Sequence, residues 1–132
     1  MDFDFSEETR AFRDVAAAFA RDEFAPHARE WDEKSIFPVD TLKRAAALGF
    51  AAVYVADDVG GSGLGRLDAA VIFEELARGC TSTTAFLTIH NMASWMIDEW
   101  GPQAMREKYL PGLAAFEDRK STRLNSSHEW IS

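Results

Sequence analysis

Residues 6–24 read SEETRAFRDVAAAFARDEF, and this segment indicates the fold class most clearly. A serine followed by two glutamates is typical of a helix start, because the serine side chain caps backbone amides and the acidic residues favour the positive end of the helix dipole. Apolar residues then recur at helical spacing, and charged residues occupy the other side. The residues expected to face a core are Phe12, Val15, Ala16, Phe19, Ala20 and Phe24. The segment therefore predicts an amphipathic helix.

Prolines and glycines divide the chain that follows. Pro26 should kink or divide the first helix because it lacks a backbone N–H, and the helical pattern resumes weakly through Ala28 and Trp31. Pro38 is tolerated in a first helical turn, and Gly49 is a plausible C-terminal cap. We expect a short second helix between them.

The remaining pattern predicts three more helices. Residues 50–55 are apolar and lead into a glycine-rich loop, so we expect an extended connection there. Residues 67–77 and 83–100 each show helical apolar periodicity. A last helix should begin at Pro102 and be interrupted only by Pro111. The sequence thus predicts an all-α bundle of about five helices.

Composition limits the function classes that are open to this chain. Its 132 residues suit one domain, and its 47% hydrophobic content is enough for a core. The 14 basic and 22 acidic residues give a net charge of -8, which argues against a nucleic-acid module because such a module needs a basic face. A single cysteine, Cys80, excludes an internal disulfide framework.

Neither export nor membrane insertion is predicted. The amino terminus is acidic and lacks the basic start and apolar run of a signal peptide. The most apolar segment, residues 85–97, is broken by polar residues well before the roughly 18 residues that a membrane span needs. We therefore expect no membrane span and a cytoplasmic location.

A glycine-rich segment, Gly60-Gly61-Ser62-Gly63-Leu64-Gly65, has two interpretations. Glycines let backbone amides approach an anion, which would make the segment a phosphate loop. It lacks the Lys-Ser/Thr of a Walker motif, and the sequence around it does not alternate strands with helices. We therefore favour a structural turn.

Other residues with chemical potential lack the partners that chemistry would need. His27, His90 and His128 have no second ligand at an offset that would converge on a metal, and His90 is expected to be a partly buried structural residue. Cys80 is expected to pack against the core rather than to act as a nucleophile. Glu74 and Glu75 are adjacent on a helix and point in different directions, so they do not form an acid/base pair. No metal site is predicted.

Trp95, Met96 and Trp100 form a bulky group near the end of the fourth predicted helix. Such a group is more often core or interface than a cofactor contact, and we expect mainly core packing. A surface that binds a protein partner is the alternative.

The last fifteen residues differ in kind from the rest. Residues 118–132 are polar, serine-rich and without helical or strand periodicity, which predicts a loose tail. Residues 118–128 also resemble the translation of a common short-read sequencing adapter at every position. We therefore interpret residues 118–132 as a non-native, disordered tail and residues 1–117 as the domain.

Several short motifs occur in the order found in a known family: Trp31-Asp32, Phe37-Pro38, Leu48-Gly49-Phe50, Val53-Tyr54, Gly60-Gly61-Ser62-Gly63-Leu64 and Phe73-Glu74-Glu75-Leu76-Ala77. With them, residues 3–117 resemble the amino-terminal helical domain of the acyl-CoA dehydrogenases. A second group resembles the isobutyryl-CoA dehydrogenase branch: Phe37-Pro38-Val39-Asp40, Gly60-Gly61-Ser62-Gly63-Leu64, Gly79-Cys80-Thr81-Ser82-Thr83-Thr84-Ala85 and Ile89-His90-Asn91-Met92.

The resemblance implies a three-domain flavoenzyme of which this chain carries the first domain. In the family, a glutamate removes the α-proton of an acyl-CoA, hydride passes to FAD, and the reduced flavin delivers electrons to electron-transfer flavoprotein. Family members are usually homotetramers. Because the family's flavin-contacting segment and catalytic glutamate are not found in this sequence, we expect no catalytic or cofactor-binding residue here. The chain alone is expected to be inactive and to bind neither FAD nor acyl-CoA tightly.

The resemblance also implies that the fourth helix lines the acyl end of the substrate pocket. Ala85, Thr88 and Met92 fall at i, i+3 and i+7 and so share one helical face. The alternative is that this face packs on a neighbouring helix.

Three functions stay open at this point. The first is an oxidoreductase domain whose full-length protein acts on isobutyryl-CoA in valine catabolism. The second is a domain from a dehydrogenase for another short acyl-CoA. The third is a non-catalytic acidic helical module that binds a protein partner.

Overall fold

The computed structural model describes residues 3–117, where the chain forms helices and turns and no strand. The helices are α1 (Glu7–Phe19), α2 (Ala28–Glu33), α3 (Val39–Ala47), α4 (Arg66–Gly79), α5 (Thr81–Trp100) and α6 (Gln103–Ala114). A π-helix, Ala20–Phe24, extends α1, and a 3-10 turn, Asp57–Val59, lies before α4. The all-α fold class is confirmed. The prediction for the tail, residues 118–132, lies outside the described residues.

The start of α1 is as predicted, but one position of its inner face is not. Ser6 caps the helix, since its Oγ accepts a hydrogen bond from the Thr9 amide at 3.1 Å. Ala16 and Phe19 are buried, whereas Val15 is 44% exposed. The helix packs mainly on α4, and across this contact the Thr9 hydroxyl donates to Asp68 at 2.7 Å. The prediction that Val15 faces the core is wrong, because the buried side of α1 is narrower than the row of apolar residues along the helix.

Pro26 divides the first helix, as expected. Before it, the Ala25 amide donates to the Ala20 carbonyl at 2.8 Å, the five-residue spacing of a π-helix. The chain then turns through residues 25–27 and resumes as α2 at Ala28. This separate short helix brings the number of α-helices in the described residues to six, where the sequence predicted about five.

The end of α3 is a Schellman motif built on the predicted glycine. Gly49 has φ +90°, a left-handed conformation that favours glycine. Its amide donates to the Ala46 carbonyl at 2.9 Å, and the Phe50 amide donates to the Ala45 carbonyl at 3.1 Å. The local sequence therefore sets where α3 stops and the chain reverses.

The segment after α3 consists of turns, so the predicted extended connection at residues 50–55 is wrong. It is buried except for Tyr54, and the glycine-rich loop folds back on it. Four consecutive amides of the loop, those of residues 61–64, donate to the carbonyls of Ala56, Ala52, Val55 and Val53 in turn at 2.9–3.0 Å. The loop donates these hydrogen bonds and the buried segment accepts them, so backbone groups of both are satisfied. A single extended strand in a helical bundle would leave such groups without partners.

The predicted structural turn at the glycines is supported by these bonds. Gly61 has no room for a Cβ atom, which would overlap the carbonyl of Val55. Amides that already donate to carbonyls are not free to bind a phosphate, so the phosphate-loop alternative is not supported.

Two apolar clusters form the core of the described residues. The larger joins α1, the π-helix, α3, α4 and α5, and Cys80 packs against it as predicted. The smaller joins residues 52–59 to α6. Helix α5 runs past both clusters and is the element on which the candidate site lies.

Candidate functional site

The inward face of α5 is unusually polar for a buried surface. Its buried residues are Thr83, Thr84, Leu87, His90, Asn91 and Ser94, five of the six being polar. Buried polar groups are costly unless hydrogen-bonded, and within the described residues no buried side-chain nitrogen or oxygen lacks a partner. Two of these residues, His90 and Asn91, bond to other elements and fix the position of α5. Thr84 and Ser94 instead bond to carbonyls four residues earlier in the chain.

Asn91 makes the densest of these connections. Its Nδ2 donates to the carbonyls of Phe50 at 2.9 Å and Leu87 at 2.8 Å, and its Oδ1 accepts from the amide of Val53 at 2.6 Å. The side chain thus holds the buried turns after α3 against the middle of α5. Sequence analysis missed this role, although an asparagine inside an otherwise apolar helix was a usable signal.

His90 fastens α5 to the end of α6. Its Nε2 donates to the carbonyl of Leu113 at 2.8 Å, since a carbonyl oxygen only accepts. The ring lies between Phe86 and Phe116, with centroids 6.0 and 5.2 Å away. Burial lowers the pKa of His90 below its ordinary value, partly offset by the bond to Leu113. The predicted structural role is supported.

The outward face of α5 carries the three predicted site residues. Ala85 and Met92 are exposed and Thr88 is half-buried, so all three lie on the side that no described element covers. The Thr88 hydroxyl donates to the Ala85 carbonyl at 2.7 Å, so it presents no unsatisfied donor. The structure brings these residues together on one surface.

Two further residues extend the same face. Ile89 and Met96 are each 47% exposed and lie four residues from Ala85 and Met92, respectively. At roughly 100° per residue, these positions fall within one side of the helix. Sequence analysis missed both, although the same spacing rule would have found them. We call Ala85, Thr88, Ile89, Met92 and Met96 the α5 stripe.

Asp98 fixes the carboxyl-terminal end of α5. Its Oδ2 accepts from the amide of Ala56 at 2.9 Å, and its Oδ1 accepts from Arg106 Nη2 at 2.7 Å. Arg106 also contacts Asp58 at 3.1 Å, and these two carboxylates raise the pKa of the guanidinium above its ordinary value. This ion-pair group thereby anchors the carboxyl-terminal end of the stripe.

The aromatic residues at the end of α5 lie on the surface. Met96 is 47% and Trp100 is 68% exposed, so the expectation of core packing is wrong for them. Trp95 is half-buried, and its ring centroid is 5.0 Å from that of Trp100. The guanidinium carbon of Arg66 lies 4.4 Å from the Trp95 ring centroid and 4.6 Å from that of Tyr54. Trp95 therefore packs partly against the smaller apolar cluster and partly against Arg66, whereas Trp100 contacts Trp95 from the surface.

The other candidates do not assemble into a site. His27 is exposed beside Trp31, with 5.6 Å between ring centroids. Glu74 is exposed, while Glu75 pairs with Arg78 at 3.4 Å. Among the residues that the structure describes, no group of three or more His, Cys, Asp and Glu could hold a metal ion. None of the helices described here is long and apolar enough to cross a membrane.

Comparison with known proteins assigns the domain that carries this stripe to a family. Residues 6–117 match the family "Acyl-CoA dehydrogenase, N-terminal domain". The chain belongs to this family. The similarity covers α1 to α6 and therefore includes the whole of the α5 stripe.

Individual relatives support the same assignment. The chain is 55% identical to the mitochondrial isobutyryl-CoA dehydrogenase of Bos taurus over 112 residues, which cover 85% of this chain and 27% of that protein. A glutaryl-CoA dehydrogenase structure in complex with glutaryl-CoA has a TM-score of 0.84 at 29% identity and covers 89% of this chain and 31% of the other. An FAD complex of PigA has a TM-score of 0.83 at 31% identity with the same coverage. The chain thus spans about a third or less of the length of these relatives.

Proposed function

We propose that residues 3–117 form the first domain of a flavin-dependent acyl-CoA dehydrogenase whose substrate is a short branched acyl-CoA, isobutyryl-CoA. The observation that carries this proposal is the α5 stripe, an apolar surface held rigidly from behind and covered by no described element. The relative from Bos taurus supplies the substrate, because it is 55% identical to this chain. Oxidation of isobutyryl-CoA would place the enzyme in valine catabolism.

The α5 stripe would form one wall of the acyl-chain pocket through Ala85, Thr88 and Met92. Proton abstraction beside a thioester needs a dry site, because electrostatic stabilisation weakens when water enters. A small alanine beside a threonine and a flexible methionine leaves room for a short branched chain and restricts a long one. The role of this chain's own residues is therefore to bind the acyl group and to exclude water.

FAD would supply the hydride acceptor in the full-length enzyme, but the residues described here do not fit it. The glycine-rich loop, the one segment that suggested a phosphate site, donates its amides to carbonyls of residues 52–56. We therefore assign FAD to parts of the enzyme outside this chain, together with the catalytic glutamate. Electron-transfer flavoprotein as redox partner and a homotetrameric assembly are further parts of this proposal.

The cellular location of this chain stays a prediction. We predict a cytoplasmic location for this chain, whereas the relative from Bos taurus is named as mitochondrial. The proposed reaction is the same in either compartment.

A domain exchange tests the proposed function within a complete enzyme. Residues 6–117 would replace the matching 112 residues of the Bos taurus isobutyryl-CoA dehydrogenase. We expect a flavin-containing chimera that oxidises isobutyryl-CoA, with the unaltered enzyme as control. A fully flavinated chimera that prefers another short acyl-CoA would support the second candidate substrate class, and one inactive on every acyl-CoA would refute the proposal.

A separate experiment tests whether tight binding of FAD and of the substrate requires parts of the enzyme outside this chain. Equilibrium dialysis of the 132-residue chain against FAD, and separately against isobutyryl-CoA, should show no tight binding. Stoichiometric retention of flavin would mean that the cofactor site lies within this chain.

A further inference from the structure

Arg66, Tyr54, Trp95 and Trp100 form a cluster that the proposed reaction does not use, which we call the Arg66 cluster. Trp, Tyr and Arg are the three residue types most enriched among the energetic centres of protein interfaces. Trp100 is 68% exposed and Arg66 is exposed as well, so the cluster lies open on the surface at the end of α5.

The guanidinium of Arg66 is positioned but not neutralised. Its carbon lies 4.6 Å from the ring centroid of Tyr54 and 4.4 Å from that of Trp95. Those two centroids are 6.5 Å apart, so the directions from the guanidinium carbon to the two rings are roughly perpendicular. The side of the guanidinium that faces away from both rings is left open. Within the part of the chain that the structure describes, Arg66 makes no ion pair with a carboxylate.

A stacked arginine is pre-organised for a carboxylate, because its planar fork of N–H donors matches the two oxygens. One exposed ion pair contributes little, so a free anion alone would bind weakly here. Useful affinity requires apolar contact with Trp95 and Trp100 at the same time. The occupant must therefore present a carboxylate and an apolar side chain together.

We propose that the Arg66 cluster docks a protein segment in which an Asp or Glu lies beside a large apolar residue. Arg66 takes the carboxylate, and the exposed ring of Trp100 takes the apolar neighbour. Local charge supports this occupant, since Arg66 offers a cation that no described carboxylate neutralises. The inference concerns a different surface from the acyl pocket and does not rest on the proposed dehydrogenase function.

Peptide titration of the full 132-residue chain by NMR tests the proposal. The probes are two blocked hexapeptides that differ at one position, Ala-Leu-Asp-Phe-Ala-Ala and Ala-Leu-Asn-Phe-Ala-Ala. We expect the Asp peptide to shift the Arg66 Nε–H signal and the indole signals of Trp95 and Trp100. Its affinity should exceed that of the Asn peptide by roughly 1.4-fold to fivefold, the range for one exposed ion pair.

Variants separate the two contacts. Arg66→Gln should abolish the preference for Asp over Asn, whereas Trp100→Ala should weaken both peptides alike. Arg10→Gln is the matched control, because Arg10 is an exposed arginine on α1 whose loss changes the net charge equally. Dispersed amide spectra confirm that each variant is folded.

Three outcomes would overturn the proposal. Equal affinity for the two peptides, or an Asp preference that survives Arg66→Gln, would remove the carboxylate contact. Equal shifts with sodium acetate or phosphate at the same concentration would mean a small-anion site. Shifts that depend on protein concentration in the absence of peptide would mean that a second copy of this chain occupies the surface.

Discussion

The two faces of α5 reverse the usual arrangement of a surface helix. The buried face carries polar residues, among them His90, Asn91 and Ser94, while the exposed face carries Ile89, Met92 and Met96. On an ordinary surface helix the apolar side is buried and the polar side meets water. The reversal is stable here because these buried polar groups are hydrogen-bonded, Asn91 to the turns after α3, His90 to α6, and Ser94 to a carbonyl of α5 itself.

The buried face of α5 therefore positions the helix, whereas the exposed face is available for contact with a ligand. Hydrogen bonds are directional, so those of Asn91 and His90 fix the rotation of α5 about its axis and its position along that axis relative to the bundle. An exposed apolar surface, by contrast, contributes little to the stability of this domain and is free to serve a ligand. The two faces should therefore respond to mutation in opposite ways.

The largest effect is expected at Asn91. Asn91→Leu keeps the approximate volume but leaves the amide of Val53 and the carbonyl of Phe50 buried without partners. We expect a loss of roughly 3 to 5 kcal/mol in the free energy of unfolding, since each unsatisfied buried group costs about 1 to 3 kcal/mol. Urea denaturation followed by circular dichroism measures it. The adjacent outward change Met92→Leu is the control, and equal effects of the two would contradict the contrast between the faces.

His90 should make stability depend on pH. The pKa of His90 is lower in the folded protein than in the unfolded chain. As the pH falls through about 6.5, the ordinary pKa of histidine, the unfolded chain therefore binds more protons than the folded protein does. Stability should be full above that pH and decline below it, by up to about 1.4 kcal/mol per pH unit.

Comparison of wild type with His90→Gln between about pH 7.5 and 5.5 isolates this contribution, because the exposed His27 is common to both. The glutamine amide can still donate to the carbonyl of Leu113. The free energy of unfolding of the variant should vary less over this range. Parallel pH profiles for the two proteins would show that His90 is not the group responsible.

The smallest effect is expected on the outward face. The triple change Ile89→Gln, Met92→Gln and Met96→Gln replaces exposed apolar side chains with good helix formers. The free energy of unfolding should change by no more than about 0.5 kcal/mol per site. Fluorescence of a dye that binds apolar surfaces should fall at the same time. A loss of stability comparable to that of Asn91→Leu would mean that the α5 stripe is packed after all.

Local signals in the sequence predicted much of this fold. The cap at Ser6, the division at Pro26 and the stop at Gly49 each depend on residues within a few positions, and all three are present. Periodicity also placed Ala85, Thr88 and Met92 on one face. Local rules were sufficient wherever the controlling atoms are close in sequence.

The predictions that were wrong all concern positions decided by contacts between residues that are distant in sequence. Residues 50–55 form turns because Asn91, about forty positions later, bonds to their backbone. Val15 is exposed because the packing of α4 on α1 leaves its side uncovered. Trp100 is exposed although its residue type favours a core. Periodicity shows which residues share a face but not which element covers that face.

The central claim is that the α5 stripe forms the wall of the acyl pocket, and Ala85→Phe in the domain-exchange chimera tests it most directly. The measurement is kcat/KM for isobutyryl-CoA and for longer straight-chain acyl-CoAs, with flavin content as the folding control. Ala104→Phe is the matched variant, since Ala104 is an exposed alanine on α6.

We expect Ala85→Phe to change the preference among chain lengths by about 10-fold to 200-fold, the range for a poorly fitting group in an apolar pocket, with the longest chains reduced most. Ala104→Phe should leave the preference unchanged. If a fully flavinated Ala85→Phe chimera handles every chain length as the unmodified chimera does, Ala85 does not contact the acyl chain and the account of α5 is wrong.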